Sequence, residues 1–247
     1  MTQLKFINHL IDEYALMVSY DPFHDEGEVI FNLTLIKEED LDAARLIMKE
    51  AYAAGVCFSN RVMFAVAGEY IGEYAIPHGH IGIVTMCSIT VDAILLRQGI
   101  PINPIGGGLV EIRDNIPKRF TTMIKYDSTT IDPTQVMIDQ GTTHITDVIM
   151  TGTGSILANI RECHMEAETL LFDTLEDLTK AGITGVLEVG SPNSPLLGVP
   201  ITTNYLGLSM IGGTNPIAAF IESGRWANTK AMKGLIDISN FDRIENI

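Results

Sequence analysis

Residues 27–36 read GEVIFNLTLI, and Val29, Phe31, Leu33 and Leu35 fall at every second position. A period of two places them on one face, so the stretch predicts a half-buried strand. The period then lengthens. Ala44, Met48 and Ala51 recur at helical spacing, and Ala-Ala-Gly closes the run at Gly55. A helix over about 38–54 follows, since glycine suits the left-handed position after a helix. Apolar runs near 58–66 and 80–86 predict two strands. Next come a second helical run ending at Gly99 and a strand at GLVEI, 108–112.

The same succession then returns. GSILANIREC, 154–163, sets Ile156, Ala158 and Ile160 at alternate positions. Leu171, Leu175 and Leu178 mark a helix that stops at Lys-Ala-Gly. Apolar runs at 184–189 and 205–211, another helical run and GLIDI, 234–238, complete the set. Matched residues keep an almost constant offset. Gly27 and Gly154, Asn32 and Asn159, and Gly55 and Gly182 are 127 apart; Gly72 and Gly198 are 126 apart; Gly82 and Gly207, Ala93 and Ala218, and Gly99 and Gly224 are 125 apart. An ordered series of this kind reads as two copies, roughly 20–114 and 147–240. Each has the order β-α-β-β-α-β, the ferredoxin-like arrangement. The expected fold class is therefore α/β (α+β), with duplicated halves packed as a pseudo-dimer on a joined sheet. Residues 18–247 form the expected single domain, preceded by a helix or linker remnant at 1–17. In the connector, 115–146, RFTTMIKY (119–126) predicts a strand. TTIDPTQVMIDQG (129–141) predicts a turn and a short helix, with Asp132 as N-cap, Pro133 in the first turn and Gly141 as stop.

One junction recurs with the copies. GIVTMCSITVDAILLRQG (82–99) and GLSMIGGTNPIAAFIESG (207–224) each run from an apolar strand through small or polar residues into a helix. The turns are Cys87-Ser88-Ile89-Thr90 and Gly212-Gly213-Thr214-Asn215. Free backbone N–H groups at a helix start stabilise an anion. Hydroxyl and amide groups stand beside them here. Two such turns facing one cleft would hold the two ends of a small dicarboxylate, with Arg113 or Arg161 assisting. The plainer reading is that Ser88, Thr214 and Asn215 cap their own helices.

Other candidates are thinner. NPIGGG (103–108) lacks the spacing of a nucleotide-binding loop and reads as a tight turn. Asn193 and Ser194 in SPNSPLLGVP line a pocket or simply a rigid turn. Cys87 at a helix start would have a lowered thiol pKa and would serve an enzyme as nucleophile. Its counterpart, however, is Gly212. His78 and His80 make an incomplete metal set, so no metal is expected. With 46% hydrophobic and 19% charged residues the chain carries enough apolar matter for a core. A net charge of −15 with no basic stripe argues against direct nucleic-acid binding. The most apolar run, 81–96, is broken by Asp92, and the N-terminal stretch does not read as a signal peptide. Three cysteines without CxxC spacing suit a reducing cytoplasm.

GIVTMCSITVDAILLRQGIPINPIGGGLVEI resembles the regulatory domain of the NrpR-type nitrogen regulatory repressors of methanogenic archaea. TTIDP, GSILANIRE, GVLEVGSPNSPLLGVP and GLSMIGGTNPIAA continue the likeness in order, over roughly residues 17–240. The resemblance implies a homo-oligomeric repressor of nitrogen-assimilation genes. It also implies 2-oxoglutarate as the inducer that weakens operator binding. Family repressors usually carry an N-terminal winged helix-turn-helix, and only a short helix precedes residue 18 here. The chain is thus expected to be the sensor part: a corepressor partner of a winged-helix relative, or a fragment of a longer repressor. It would dimerise and meet DNA only indirectly. The candidate ligand residues are Cys87, Ser88, Thr90, Gly212, Gly213, Thr214 and Asn215, and no catalytic residue is expected. The competing readings are an enzyme that uses Cys87 on a small carboxylate and a ligand-free oligomerisation module.

Overall fold

The computed structural model describes residues 4–247, so residues 1–3 of the expected N-terminal segment lie outside it. The elements follow in the order α1 (Ile7–Met17), β1 (Glu28–Lys37), α2 (Leu41–Ala53), β2 (Arg61–Ala65), β3 (Tyr70–Ile71), β4 (Tyr74–Ala75), β5 (His80–Met86), α3 (Thr90–Arg97) and β6 (Ile102–Arg113). Then come β7 (Ile116–Lys125), α4 (Pro133–Asp139), α5 (Ile145–Thr151), β8 (Gly154–His164), α6 (Glu168–Lys180), β9 (Val186–Val189), β10 (Tyr205–Ile211), α7 (Asn215–Glu222), β11 (Ala227–Asp237) and β12 (Asp242–Arg243). The mixed α/β class agrees with the pattern of the chain. Asp132 caps α4 by accepting from the Thr134 and Gln135 N–H groups, with Pro133 in the first turn.

Two antiparallel five-stranded sheets run in the orders β11-β1-β5-β2-β12 and β7-β6-β8-β10-β9; β3 and β4 form a separate hairpin. The expected joined sheet is corrected by this topology. Within each half the first, third and second strands pair in turn, as β1-β5-β2 and β8-β10-β9. The last strand crosses over. β6 pairs with β8, and β11 pairs with β1. The four-residue connection 98–101 delivers β6 straight into the other sheet, between β7 and β8. The halves therefore interlock through exchanged strands, and the junctions β5→α3 and β10→α7 are drawn toward one another.

β1 is buried on both faces, not on one. Val29, Phe31 and Leu33 join an apolar cluster with Val84, Met86, the buried residues of α1 and those of α3. Ile36, Ile81 and Ile83 join a second cluster with Ala44, Met48 and Ala51 of α2 and Ile217 and Phe220 of α7. α2 packs on α7 and α1 on α3. Because both faces are covered, Asn32 and Thr34 are buried polar residues. Such groups need partners.

NPIGGG is not a turn. It lies inside β6, paired to both β7 and β8. A Cβ at Gly106 or Gly108 would overlap the carbonyl oxygen of Ile124 or Thr122. The glycines permit close strand approach, which no other residue allows. The 191–200 loop is a rigid turn. Leu196 and Val199 exchange backbone hydrogen bonds, and Asn193 Oδ1 accepts the Asn204 N–H. His78 sits in the turn before β5 and His80 is the first residue of β5, where its N–H donates to the Pro77 carbonyl.

Candidate functional site

The two junctions meet. Cys87, Ser88 and Ile89 from the first, and Gly212, Gly213 and Thr214 from the second, line one cavity. Asn32 of β1 and Asn159 of β8 contribute to its wall, and Tyr126, Asp132 and Thr134 of the connector close it. Contact between the turns is tight. A Cβ at Gly213 would overlap the Met86 carbonyl oxygen and approach Asn32 Nδ2 to 2.9 Å. Only a glycine at this position lets the turns approach so closely.

Backbone and side-chain bonds sort the candidate residues by task. The Cys87 and Gly212 N–H groups donate to the carbonyls of Ile30 and Leu157, both at 2.8 Å. Thr90 Oγ1 accepts from the Ile30 N–H at 3.1 Å, and Asn215 Oδ1 from the Leu157 N–H at 2.9 Å. Asn215 Nδ2 also donates to the Val56 and Leu157 carbonyls. Thr90 and Asn215 thus pin each turn to the first strand of its half, and neither faces the cavity. Ser88, Gly213 and Thr214 are placed differently. Their backbone N–H groups meet no backbone or side-chain oxygen among the described residues. Neither α3 nor α7 receives a side-chain cap bond. Thr214 Oγ1 is buried without a partner, as is Asn159 Oδ1, while Asn159 Nδ2 donates to Ser88 Oγ at 2.5 Å. Each unpartnered group costs about 1–3 kcal/mol. Polar atoms left unpaired in a cavity wall are the places where water or a ligand binds.

The surrounding charges are few and buried. Arg161 of β8 and Asp92 of α3 form an ion pair, Nε to Oδ1 2.5 Å, with both side chains 1% exposed. Burial pushes the Asp92 carboxyl up, and the Arg161 guanidinium pulls it back. Burial likewise pushes Asp132 up, against the hydrogen bonds it accepts at the start of α4. Cys87 is corrected outright. Its thiol is pushed up to about 12 by burial, the reverse of the depressed pKa that a nucleophile requires. All three cysteines are free and buried. Arg113 also departs from expectation. It is exposed at the far end of β6 and pairs with Glu111.

Sequence reasoning missed Asn32, Asn159 and Tyr126 as members of this site. The asparagines carried a usable signal: they match across the halves, and both interrupt apolar strands. Tyr126 had none. The enclosed room is about 20 Å3, enough for a single water molecule. A dicarboxylate is larger than this room, so it fits only if the two junctions separate. Among the described residues no group of three His, Cys, Asp or Glu lies close enough to hold a metal ion, and no helix is long and apolar enough to cross a membrane.

A family model described as NrpR regulatory domains NRD1 and 2 matches residues 4–243. The global nitrogen regulator NrpRI of Methanosarcina mazei is 32% identical over 239 residues, which cover 97% of this chain and 73% of the relative. The global nitrogen regulator NrpR of Methanococcus maripaludis is 34% identical over 230 residues, 93% of this chain but 39% of its own length. The chain thus spans about two-fifths of that relative. A crystal structure of a nitrogen repressor-like protein from Methanococcus jannaschii matches with a TM-score of 0.81 and 29% identity, covering 98% of this chain and 100% of the other.

Proposed function

The chain belongs to the family of NrpR regulatory domains, and from that premise we propose that it senses 2-oxoglutarate in the cavity between its two strand-to-helix junctions. Its role is regulatory, in the control of nitrogen genes, and not enzymatic. One observation carries the ligand reading. Both junctions face a single buried cavity whose wall holds unspent donors: the N–H groups of Ser88, Gly213 and Thr214 and the Thr214 hydroxyl. Donors at two helix starts favour an anion, and a dicarboxylate places one negative end at each.

The small size of the cavity supports a mechanism. Ligand binding requires the junctions to part, and the junctions lead into α3 and α7, which belong to opposite halves. A ligand that binds only the parted state shifts the equilibrium toward it, and it acts only by that difference in affinity. Parted halves alter the outer surfaces of the sheets, where the chain would dimerise. They also alter its fit to a winged-helix partner or segment that carries the DNA contact. An acidic chain of net charge −15 reaches operator DNA through such a partner.

Calorimetric titration with 2-oxoglutarate, with succinate and glutamate as controls, tests the reading. Selective, saturable binding is expected. Thr214→Val keeps the shape of the side chain and removes its hydroxyl, so it should weaken binding about 10-fold, one hydrogen bond to a charged group being worth about 1.5–3 kcal/mol. No heat from the folded wild-type chain would leave the oligomerisation role standing instead.

A further inference from the structure

α1 packs on α3, and its residues Ile7, Ile11 and Ala15, four apart, are buried. The next row of the helix, Asn8, Asp12 and Leu16, runs along a groove instead. The start of α1 is tied down there: the Ile7 N–H donates to the Thr129 carbonyl at 2.9 Å, just past the turn that carries Asp127. Ile102 and Pro104 of β6 also line the groove. It has two arms, which share Asp12, Ile102 and Pro104. One arm, about 270 Å3, is walled by Ile11, Ala15, Leu16, Leu96 and Pro101 and reaches Asp92, whose side chain is 1% exposed. The other, about 380 Å3, is polar and is lined by Asn8, Lys125, Asp127, Glu162 and Thr202. Both are far roomier than the junction cavity, and neither shares a residue with it.

The groove selects by charge. Asp12, Asp92, Asp127 and Glu162 face it, against Lys125 alone. Two of these carboxylates are spent. Asp92 is paired to Arg161, and Glu162 accepts from Asn103 Nδ2 and from the N–H and hydroxyl of Thr202. Asp12 and Asp127 are exposed and enter no salt bridge among the described residues. Asn8 Oδ1 is buried without a partner. The unspent groups are therefore acceptors, beside a wall of hydrocarbon. We infer that this groove is a second ligand site, one for a linear aliphatic amine. The ammonium lies among Asp12, Asp127 and Asn8 Oδ1, and the hydrocarbon stem lies in the apolar arm along Ile11, Leu96 and Ile102. An ammonium has three donors and no acceptor, which suits three unspent acceptors. The stem gains by leaving water. A carboxylate or phosphate of the same length meets repulsion from the same groups. The site stands apart from the dicarboxylate reading, but it touches α3 through Asp92 and Leu96. The first junction leads into that helix, so both sites bear on one element.

NMR titration of the full chain with pentylamine tests this, with pentan-1-ol, pentanoate and methylamine as controls. Pentylamine should bind saturably and move the methyl signals of Ile11, Leu96 and Ile102. Pentan-1-ol keeps the stem without the charge, and pentanoate reverses the charge; both should bind at least 10-fold more weakly. Methylamine lacks four methylenes, each worth about a factor of four when buried, and should bind about 50-fold more weakly. The double variant Asp12→Asn with Asp127→Asn changes only exposed side chains, so it should fold, and it should weaken pentylamine about 10-fold. Leu96→Ala should weaken pentylamine about 5-fold and leave methylamine unchanged. Three results would each overturn the inference: no saturable pentylamine binding to the folded wild type, pentan-1-ol binding as tightly as pentylamine, or wild-type pentylamine affinity in the double variant. None of them bears on 2-oxoglutarate, whose titration is read at the other cavity.

Discussion

The two junctions share a backbone plan and differ in chemistry. Each is pinned by the same pair of contacts: a turn N–H onto the first strand, and a side-chain oxygen taking the N–H of that same strand residue. Thr90 supplies that oxygen in one half and Asn215 in the other. What faces the cavity is not shared. Ser88 is engaged by Asn159, whereas Thr214 is unpartnered. Outside the cavity wall, Arg161 in β8 is paired to Asp92. At the matching place in β1, Thr34 donates to the Thr229 hydroxyl at 2.9 Å. The contacts that hold the fold recur, and the groups that face the cavity diverge. The cavity thereby has two chemically distinguishable ends.

The charged difference is the largest to break. Asp92→Asn leaves the Arg161 guanidinium buried and uncompensated, and should cost about 3–5 kcal/mol. Thr34→Val, at the counterpart of Arg161, should cost about 1 kcal/mol. Urea unfolding measures both; similar losses would mean that the ion pair adds nothing beyond an ordinary hydrogen bond. The pins come next. Asn215→Ala strips three hydrogen bonds and Thr90→Val strips one. The first should cost roughly 3 kcal/mol and the second about 1 kcal/mol. Equal losses would show that the extra Asn215 bonds carry no weight. The smallest comparison has opposite signs. Ser88→Ala orphans Asn159 Nδ2 and should destabilise by about 1 kcal/mol, while Thr214→Val removes an unsatisfied hydroxyl and should stabilise by about 0.5 kcal/mol. A destabilised Thr214→Val would place an acceptor or a bound water at that hydroxyl.

Much of the frame was legible in the chain because it is local. The alternation of 29–35, the helical spacing of Ala44, Met48 and Ala51, and the cap at Asp132 each depend on neighbours within a few residues. The family motifs were legible for the same reason: they are continuous stretches. Site membership was legible in part. The junction residues were named, but the pins could not be told from the cavity wall, since Thr90 and Ser88 differ only in what stands opposite them.

Tertiary structure decided the rest. The pairing of β6 with β8, and not with a strand of its own half, is a contact between distant residues that no local period encodes. Burial reversed the expectation for Cys87. Helix-start dipoles act on any thiol there, but desolvation outweighs them once water is excluded. Arg113 and Arg161 look alike in the sequence, yet one ends in solvent beside Glu111 and the other is sealed against Asp92. Spacing along the chain specifies which residues share an element and a face. Only the packing of one half into the other determines which of them lose their water, and the loss of water converts a shared turn into a candidate site.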